Sequence, residues 1–206
     1  IKILFDSYHL YHFPQFDPVI NLLSKDDRFE VFHSTCSENK KEEVELCLSI
    51  LKSKPGELIF ADSEIERIKK VRKLDLDVFI CGWSRYPISQ FVTDKALVGM
   101  IYHGIGVKPS YWRDNSDRLN IRFVEGQYRI DQLRENGVKT KLELTGFTKL
   151  DPLFNDSLDD LSPLKNSLGL DLNKKTILFA PTFYPSSIER FGMTLGKLTE
   201  DYNVIL

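Results

Sequence analysis

Cysteine is scarce: Cys36, Cys47 and Cys81 are odd in number, far apart and without the paired spacing of a zinc site. That excludes a disulfide framework and fits free, buried thiols in a reducing compartment. Long apolar runs are missing too, since none approaches the ~18 residues of a membrane-spanning helix. The first residues, Ile1-Lys2-Ile3-Leu4-Phe5, have the look of a strand rather than a signal peptide. A surplus of either charge is also absent, because 28 Lys and Arg against 30 Asp and Glu leave a formal −2. No global attraction to nucleic acid or anionic lipid follows, so such a partner would have to meet a local patch, and no nucleic-acid partner is expected. The carboxylates are scattered and mostly single, so neither a metal nor another cofactor is expected. There is no internal repeat and no low-complexity tract.

What is present is an alternation of short apolar runs and amphipathic segments. Its centre is Ala96-Leu97-Val98-Gly99-Met100-Ile101-Tyr102-His103-Gly104-Ile105-Gly106, an apolar run that stops at a histidine followed by two spaced glycines. Such a run predicts a parallel strand covered on both faces, and ligands of open α/β sheets bind beyond the carboxyl ends of such strands. His103 is therefore a candidate catalytic residue. Gly104 and Gly106 would take positive φ or let a ligand or phosphate approach the backbone. The alternative is a histidine closing a tight turn.

Strands are expected over residues 2–5, 29–33, 57–61, 77–81, 96–102, 121–124 and 142–146, with helices over 18–24, 40–52, 63–73 and 127–135, the last closed by Gly137. After the first strand comes an aromatic-rich stretch in which His9, Tyr11, His12 and Gln15 either contact substrate or pack the following helix on the sheet. The helix over 63–73 carries Arg67, Lys69, Lys70, Arg72 and Lys73, a solvated face or a patch for anionic headgroups or a polyanionic acceptor. Residues 82–87 form a further strand-end loop, with Arg85 a candidate phosphate contact.

Residues 156–174, with serine, proline and lysine punctuation, resemble a connection between domains. The pattern then restarts with a strand over 175–180, a polar loop, a helix over 188–200 and a strand from 203. The expectation is a doubly wound parallel sheet over residues 1–155, the connection, and the start of a second Rossmann-like domain over 175–206. The missing initial methionine and the strand at the very end lead to the expectation of a longer natural protein with a truncated second domain.

Three segments resemble one family in order and spacing. Met100-Ile101-Tyr102-His103-Gly104 is similar to the Trp-His-Gly segment of the CDP-glycerol glycerophosphotransferases, which make teichoic-acid-like polymers. Thr145-Gly146-Phe147-Thr148-Lys149-Leu150-Asp151-Pro152-Leu153 resembles their Gly-x-Pro-Arg-x-Asp-x-Leu segment, and Lys175-Thr176-Ile177-Leu178-Phe179-Ala180-Pro181-Thr182-Phe183 their Ile-Leu-Tyr-Ala-Pro-Thr-Trp segment. The likeness covers residues 96–185 by motif and the earlier part by fold. It implies a GT-B-like α/β fold and transfer of glycerol phosphate or a related polyol phosphate from a CDP-linked donor to an acceptor hydroxyl, lipid-linked or polymeric. It further implies a cytoplasmic enzyme with peripheral contact at the inner face of the plasma membrane.

By that resemblance His103 is the base. Gly146, Lys149 and Asp151 fall in a substrate-binding segment, although Lys149 is equally a solvated cation and Asp151 equally a turn residue before Pro152. Thr182, Ser186 and Ser187 either supply donors to the phosphates at a helix amino terminus or cap that helix. Tyr102, Thr148, Lys149 and Phe183 depart from the family pattern, and its later donor-binding segment is absent from these residues. The alternatives are a nucleotide-sugar glycosyltransferase or an enzyme like the UDP-N-acetylglucosamine 2-epimerases, and a non-catalytic nucleotide- or carbohydrate-binding module.

Overall fold

Side chains of β1 (Lys2–Ser7) alternate between two apolar layers, as the period of a strand requires. Leu4 joins one core with Phe32, Val71, Phe79, Phe91 and Val98, while Ile3 and Phe5 join another with Phe16, Ile20, Val31, Cys47 and Leu51. A strand buried on both faces is the pattern of a parallel sheet sandwiched by helices. In chain order α1 (Asp17–Leu23), β2 (Glu30–Thr35), α2 (Lys41–Lys52), β3 (Glu57–Ile59), α3 (Glu64–Lys73), β4 (Val78–Cys81), α4 (Ile88–Phe91) and β5 (Leu97–Ile101) follow. Next come α5 (Ser110–Arg113), β6 (Ile121–Val124), α6 (Gln127–Glu135), β7 (Lys141–Leu144) and α7 (Asp151–Phe154). The computed structural model describes residues 1–106, 108–113, 116, 118–155, 160–181 and 185–206.

The seven strands form one sheet in the order β3-β2-β1-β4-β5-β6-β7, and each neighbouring pair is parallel. This is the doubly wound, Rossmann-like α/β class. The chain runs outward one way from β1 to β3 and the other way from β4 to β7, so β1 and β4 flank the point where the order reverses. There the loops at the carboxyl ends diverge and leave a crevice.

Local chemistry explains the helix ends. Ser63 Oγ accepts the Glu66 N–H at 3.3 Å, and α3 carries Glu64 and Glu66 in its first turn against Lys70, Arg72 and Lys73 in its last. Gly137 takes φ +81° just beyond α6, where its N–H reaches the Arg134 carbonyl and that of Val138 the Leu133 carbonyl. The cationic face expected on α3 needs a correction. Arg67 is fully buried, stacked 4.6 Å over Phe91 and paired with Asp6 and with Glu64 (Nη2 to Oε2, 2.7 Å), because positions 67 and 71 share the helix face turned to the sheet. Arg72 spends its guanidinium on the carbonyls of Ser89, Gln90 and Val92. That leaves Lys69, Lys70 and Lys73 of the proposed patch, and Lys70 itself donates to the Phe60 carbonyl.

The chain divides into two compact units, Ile1–Asn155 and Asp156–Leu206. In the second, α8 (Ser162–Ser167), β8 (Thr176–Leu178), α9 (Ile188–Leu195) and β9 (Asn203–Ile205) include one parallel strand pair. Asn203 fastens it: its Nδ2 donates to the Asp171 carbonyl at 2.7 Å and its Oδ1 accepts the Asp171 N–H at 3.0 Å. The helix expected over 188–200 is α9 followed by a tighter turn, Gly196–Glu200, with glycine at the join. No described helix is long and apolar enough to cross a membrane.

Candidate active site

Three segments converge at the carboxyl ends of β1, β4 and β5. After β1 the chain enters a tight helical turn, Leu10–Gln15, whose residues alternate sharply in exposure: Tyr11 is 46% exposed, whereas His12 and Gln15 are fully buried. The readings left open for this stretch therefore divide by residue. His12, Phe13, Gln15 and Phe16 pack, and Tyr11 faces solvent. After β4 comes Gly82-Trp83, and two residues after β5 comes His103.

His103 Nδ1 lies 3.0 Å from the Gly82 carbonyl. A carbonyl only accepts, so Nδ1 carries the proton and Nε2 keeps its lone pair, the form a general base needs. Burial pushes the pKa of His103 below the ordinary 6.5, and Arg85, His9 and Lys149 add to this against the opposing pull of the Gly82 carbonyl. The imidazole is therefore neutral at physiological pH. Tyr11 meets it edge-on at 5.2 Å and Tyr111 lies 6.3 Å away, so it stands in an aromatic wall with one ring open to water.

A second histidine stands beside the first. The rings of His12 and His103 are 5.0 Å apart. His12 Nδ1 accepts the backbone N–H of His9 at 3.4 Å, which leaves its proton on Nε2. Burial, helped by His103 and His9, pushes its pKa down to about 2, so it adds no charge. His9 is held in turn by Glu43, whose Oε1 lies 3.1 Å from His9 Nδ1 and accepts the Leu10 N–H at 3.1 Å.

Further residues fix the loop after β5. Gly104 and Gly106 do not take positive φ, contrary to one expectation for them. They make room for an aromatic ring instead: a β-carbon at Gly104 would stand 3.3 Å from Tyr111 Oη, and one at Gly106 3.2 Å from Tyr111 Cε2. Arg129, on α6 and nearly buried, donates to the Gly106 carbonyl, stacks 4.6 Å over Tyr111 and pairs with Glu125 at 2.9 Å. Tyr102 is buried, with its hydroxyl donating to the Tyr111 carbonyl at 3.2 Å and accepting from Arg122 at 2.8 Å, a use that the indole of a tryptophan could not reproduce.

Arg85 is exposed and sits 5.5 Å over the Trp83 ring. Lys149, also exposed, is near enough for its charge to act on His103, and Thr148 anchors its segment by donating to the Gln15 carbonyl at 2.6 Å. Gly146 takes φ +81° at the bend after β7, and Asp151 opens α7 with Pro152 behind it. Of the predicted residues, His103, Gly104, Gly106, Arg85 and Lys149 thus share one neighbourhood. Ser186 and Ser187 belong to the second unit, where Ser186 Oγ accepts the Ile188 N–H at 3.1 Å and caps α9, while the Ser187 side chain makes no capping bond. Thr182, with Phe183, lies outside the described residues. Sequence reasoning missed Arg129 and the bond made by Thr148; Arg129 was marked by Glu125 four positions before it, whereas Thr148 had no such signal.

Among the described residues no group of three or more His, Cys, Asp or Glu is placed to hold a metal ion. What the arrangement offers is one poised imidazole with cations and aromatic faces beside it.

A doubly wound parallel sheet whose order reverses between β1 and β4 is a Rossmann-like arrangement, and solved structures agree in fold. UDP-GlcNAc 2-epimerase from Neisseria meningitidis bound to UDP-GlcNAc superposes with TM-score 0.62 at 16% identity over 99% of this chain and 64% of its own. A putative UDP-N-acetylglucosamine 2-epimerase from Listeria monocytogenes gives TM-score 0.61 at 16% identity, over 99% and 61%. S. aureus MnaA with UDP gives TM-score 0.61 at 16% identity, over 100% and 61%. The chain thus spans less than two thirds of the length of these structures. At such identity they share the Rossmann-like, GT-B fold. The profile described as CDP-Glycerol:Poly(glycerophosphate) glycerophosphotransferase matches residues 66–201. The chain belongs to that family of transferases. No curated protein matches it in sequence.

Proposed function

We propose that the whole protein transfers glycerol phosphate, or a related polyol phosphate, from a CDP-linked donor to an acceptor hydroxyl on a lipid-linked or polymeric chain. His103 Nε2 takes the proton of the acceptor hydroxyl. Its oxygen attacks the phosphorus that bears the polyol, a new P–O bond forms, the P–O bond to the bridging oxygen breaks, and CMP leaves with that bond's electron pair. Arg85 and Lys149, whose charges already act on His103, are assigned to offset charge on the transferring phosphoryl group, and Gly146 and Asp151 to shaping the segment that presents Lys149. Ser186, Ser187 and Thr182 are assigned to the donor phosphates. The proposal extends to peripheral attachment at the cytoplasmic face of the membrane through the remaining lysines of α3.

One observation carries this reading: the Gly82 carbonyl fixes His103 in the tautomer with a free Nε2, in a chain of the glycerophosphotransferase family. General-base catalysis of this kind contributes ~10²- to 10⁴-fold. The test is nucleotide release by the full-length protein offered CDP-glycerol, UDP-sugars and a membrane-lipid extract, with His103→Ala in parallel. CMP released by the unaltered protein alone is the expected result. The fold of the UDP-GlcNAc 2-epimerases supports a second reading, a nucleotide-sugar enzyme, for which release of a nucleoside diphosphate or epimerisation of UDP-GlcNAc would speak.

A further inference from the structure

The geometry points to His12 as the positioning residue for His103, acting through the backbone of Gly82. A β-carbon on Gly82 would fall 2.7 Å from His12 Cγ, 2.9 Å from its Cβ and 3.0 Å from its Cδ2. Only a bare α-carbon lets the chain after β4 lie against that imidazole, so the ring sets how far this chain stands from β1. The carbonyl of the same glycine receives His103 Nδ1–H at 3.0 Å. His12 therefore bears on the group that decides which nitrogen of His103 holds the proton, and its own ring covers one side of His103 at 5.0 Å.

His12 is braced for this role. It is fully buried, accepts from the His9 backbone, and lies 5.5 Å from the Trp83 ring. Its Nε2 makes no hydrogen bond among the described residues, although it is buried. A neutral ring also leaves unchanged the set of charged and titratable groups that face the base: His9 and Tyr11 after β1, Arg85 after β4, Tyr111 on α5 and Lys149 after β7.

This inference rests on His103 being the base, and its test is kept apart from that reading by using nitrogen-15 NMR of the histidines in full-length protein without substrate. In the unaltered protein His103 is expected as a single tautomer, pyrrole-type at Nδ1 and pyridine-type at Nε2. His12→Phe, which keeps a ring against Gly82, is expected to retain that tautomer. His12→Ala is expected to give a mixture, a moved titration midpoint for His103, and a several-fold loss of kcat at unchanged KM in whichever transfer the protein performs. A single, unmoved tautomer in His12→Ala overturns the proposal, and so does a mixture in His12→Phe. Should His12→Ala fail to melt cooperatively, Gly82→Ala displaces the same carbonyl from the other side. A tautomer mixture there supports the proposal and an unchanged His103 spectrum overturns it. Tautomers that respond as expected while no CMP appears would retain the positioning role and remove the glycerophosphate reading.

Discussion

The segments after β1 and β5 end in histidines whose rings are 5.0 Å apart, yet one is sealed and one is open. His12 is buried against Tyr11, Trp83 and the backbone of Gly82, protonated on Nε2 and never charged in the working pH range. His103 is partly exposed, protonated on Nδ1, and presents its other nitrogen to a crevice. Each tautomer is set by one backbone group, an N–H for the first and a carbonyl for the second. The same side chain thus becomes a strut or a base according to which half of a peptide unit it meets.

The difference can be broken most completely at the open site. His103→Ala should lower transfer by ~10²- to 10⁴-fold with the melting temperature nearly unchanged, measured by CMP release beside a thermal scan. Acid acts on the sealed site. The folded protein holds His12 far below the ordinary 6.5 and lowers His33 and His103 as well, so below pH ~6.5 the unfolded chain binds more protons than the folded one. Stability is therefore full above that pH and falls as pH drops, by up to ~1.4 kcal/mol per pH unit for His12 alone. Urea titrations from pH 7 to pH 4 should show that slope, and His12→Phe should remove most of the steepness. Activity should fall at some pH below 6.5, as His103 becomes protonated.

Gly82→Ala sharpens the comparison by forcing the two sites apart. Overpacking of this kind costs about 1–3 kcal/mol, readable as a lowered urea midpoint with an unchanged slope. The smallest effect belongs to Thr148→Val, which deletes the 2.6 Å bond to the Gln15 carbonyl and should cost about 1 kcal/mol. It should alter KM more than kcat, because Lys149 is displaced and His103 is not.

Much of this architecture is legible in the sequence. Apolar runs of four to six residues separated by amphipathic helices specify a parallel sheet, and an apolar run ending in His103-Gly104 marks the carboxyl end of a strand. Residues whose environment depends on tertiary partners are harder to read. Arg67 resembles its cationic neighbours until Asp6 is brought across from β1 to meet it. A tight helical turn alternates burial with neither the period of a strand nor that of an α-helix, so Tyr11 and His12 could not be assigned to opposite environments from pattern alone. Gly82 carries no motif at all; its need for a bare α-carbon exists only because His12 arrives from another part of the chain.

The hydrogen bond from Thr148 to Gln15 joins residues 133 positions apart. During synthesis the stretch carrying His12 leaves the ribosome early, while its last tether is not made until Thr148 has emerged. The segment that carries Lys149 is therefore fastened to the turn after β1 only once most of the first unit has been made, although the turn itself is among the first parts to emerge.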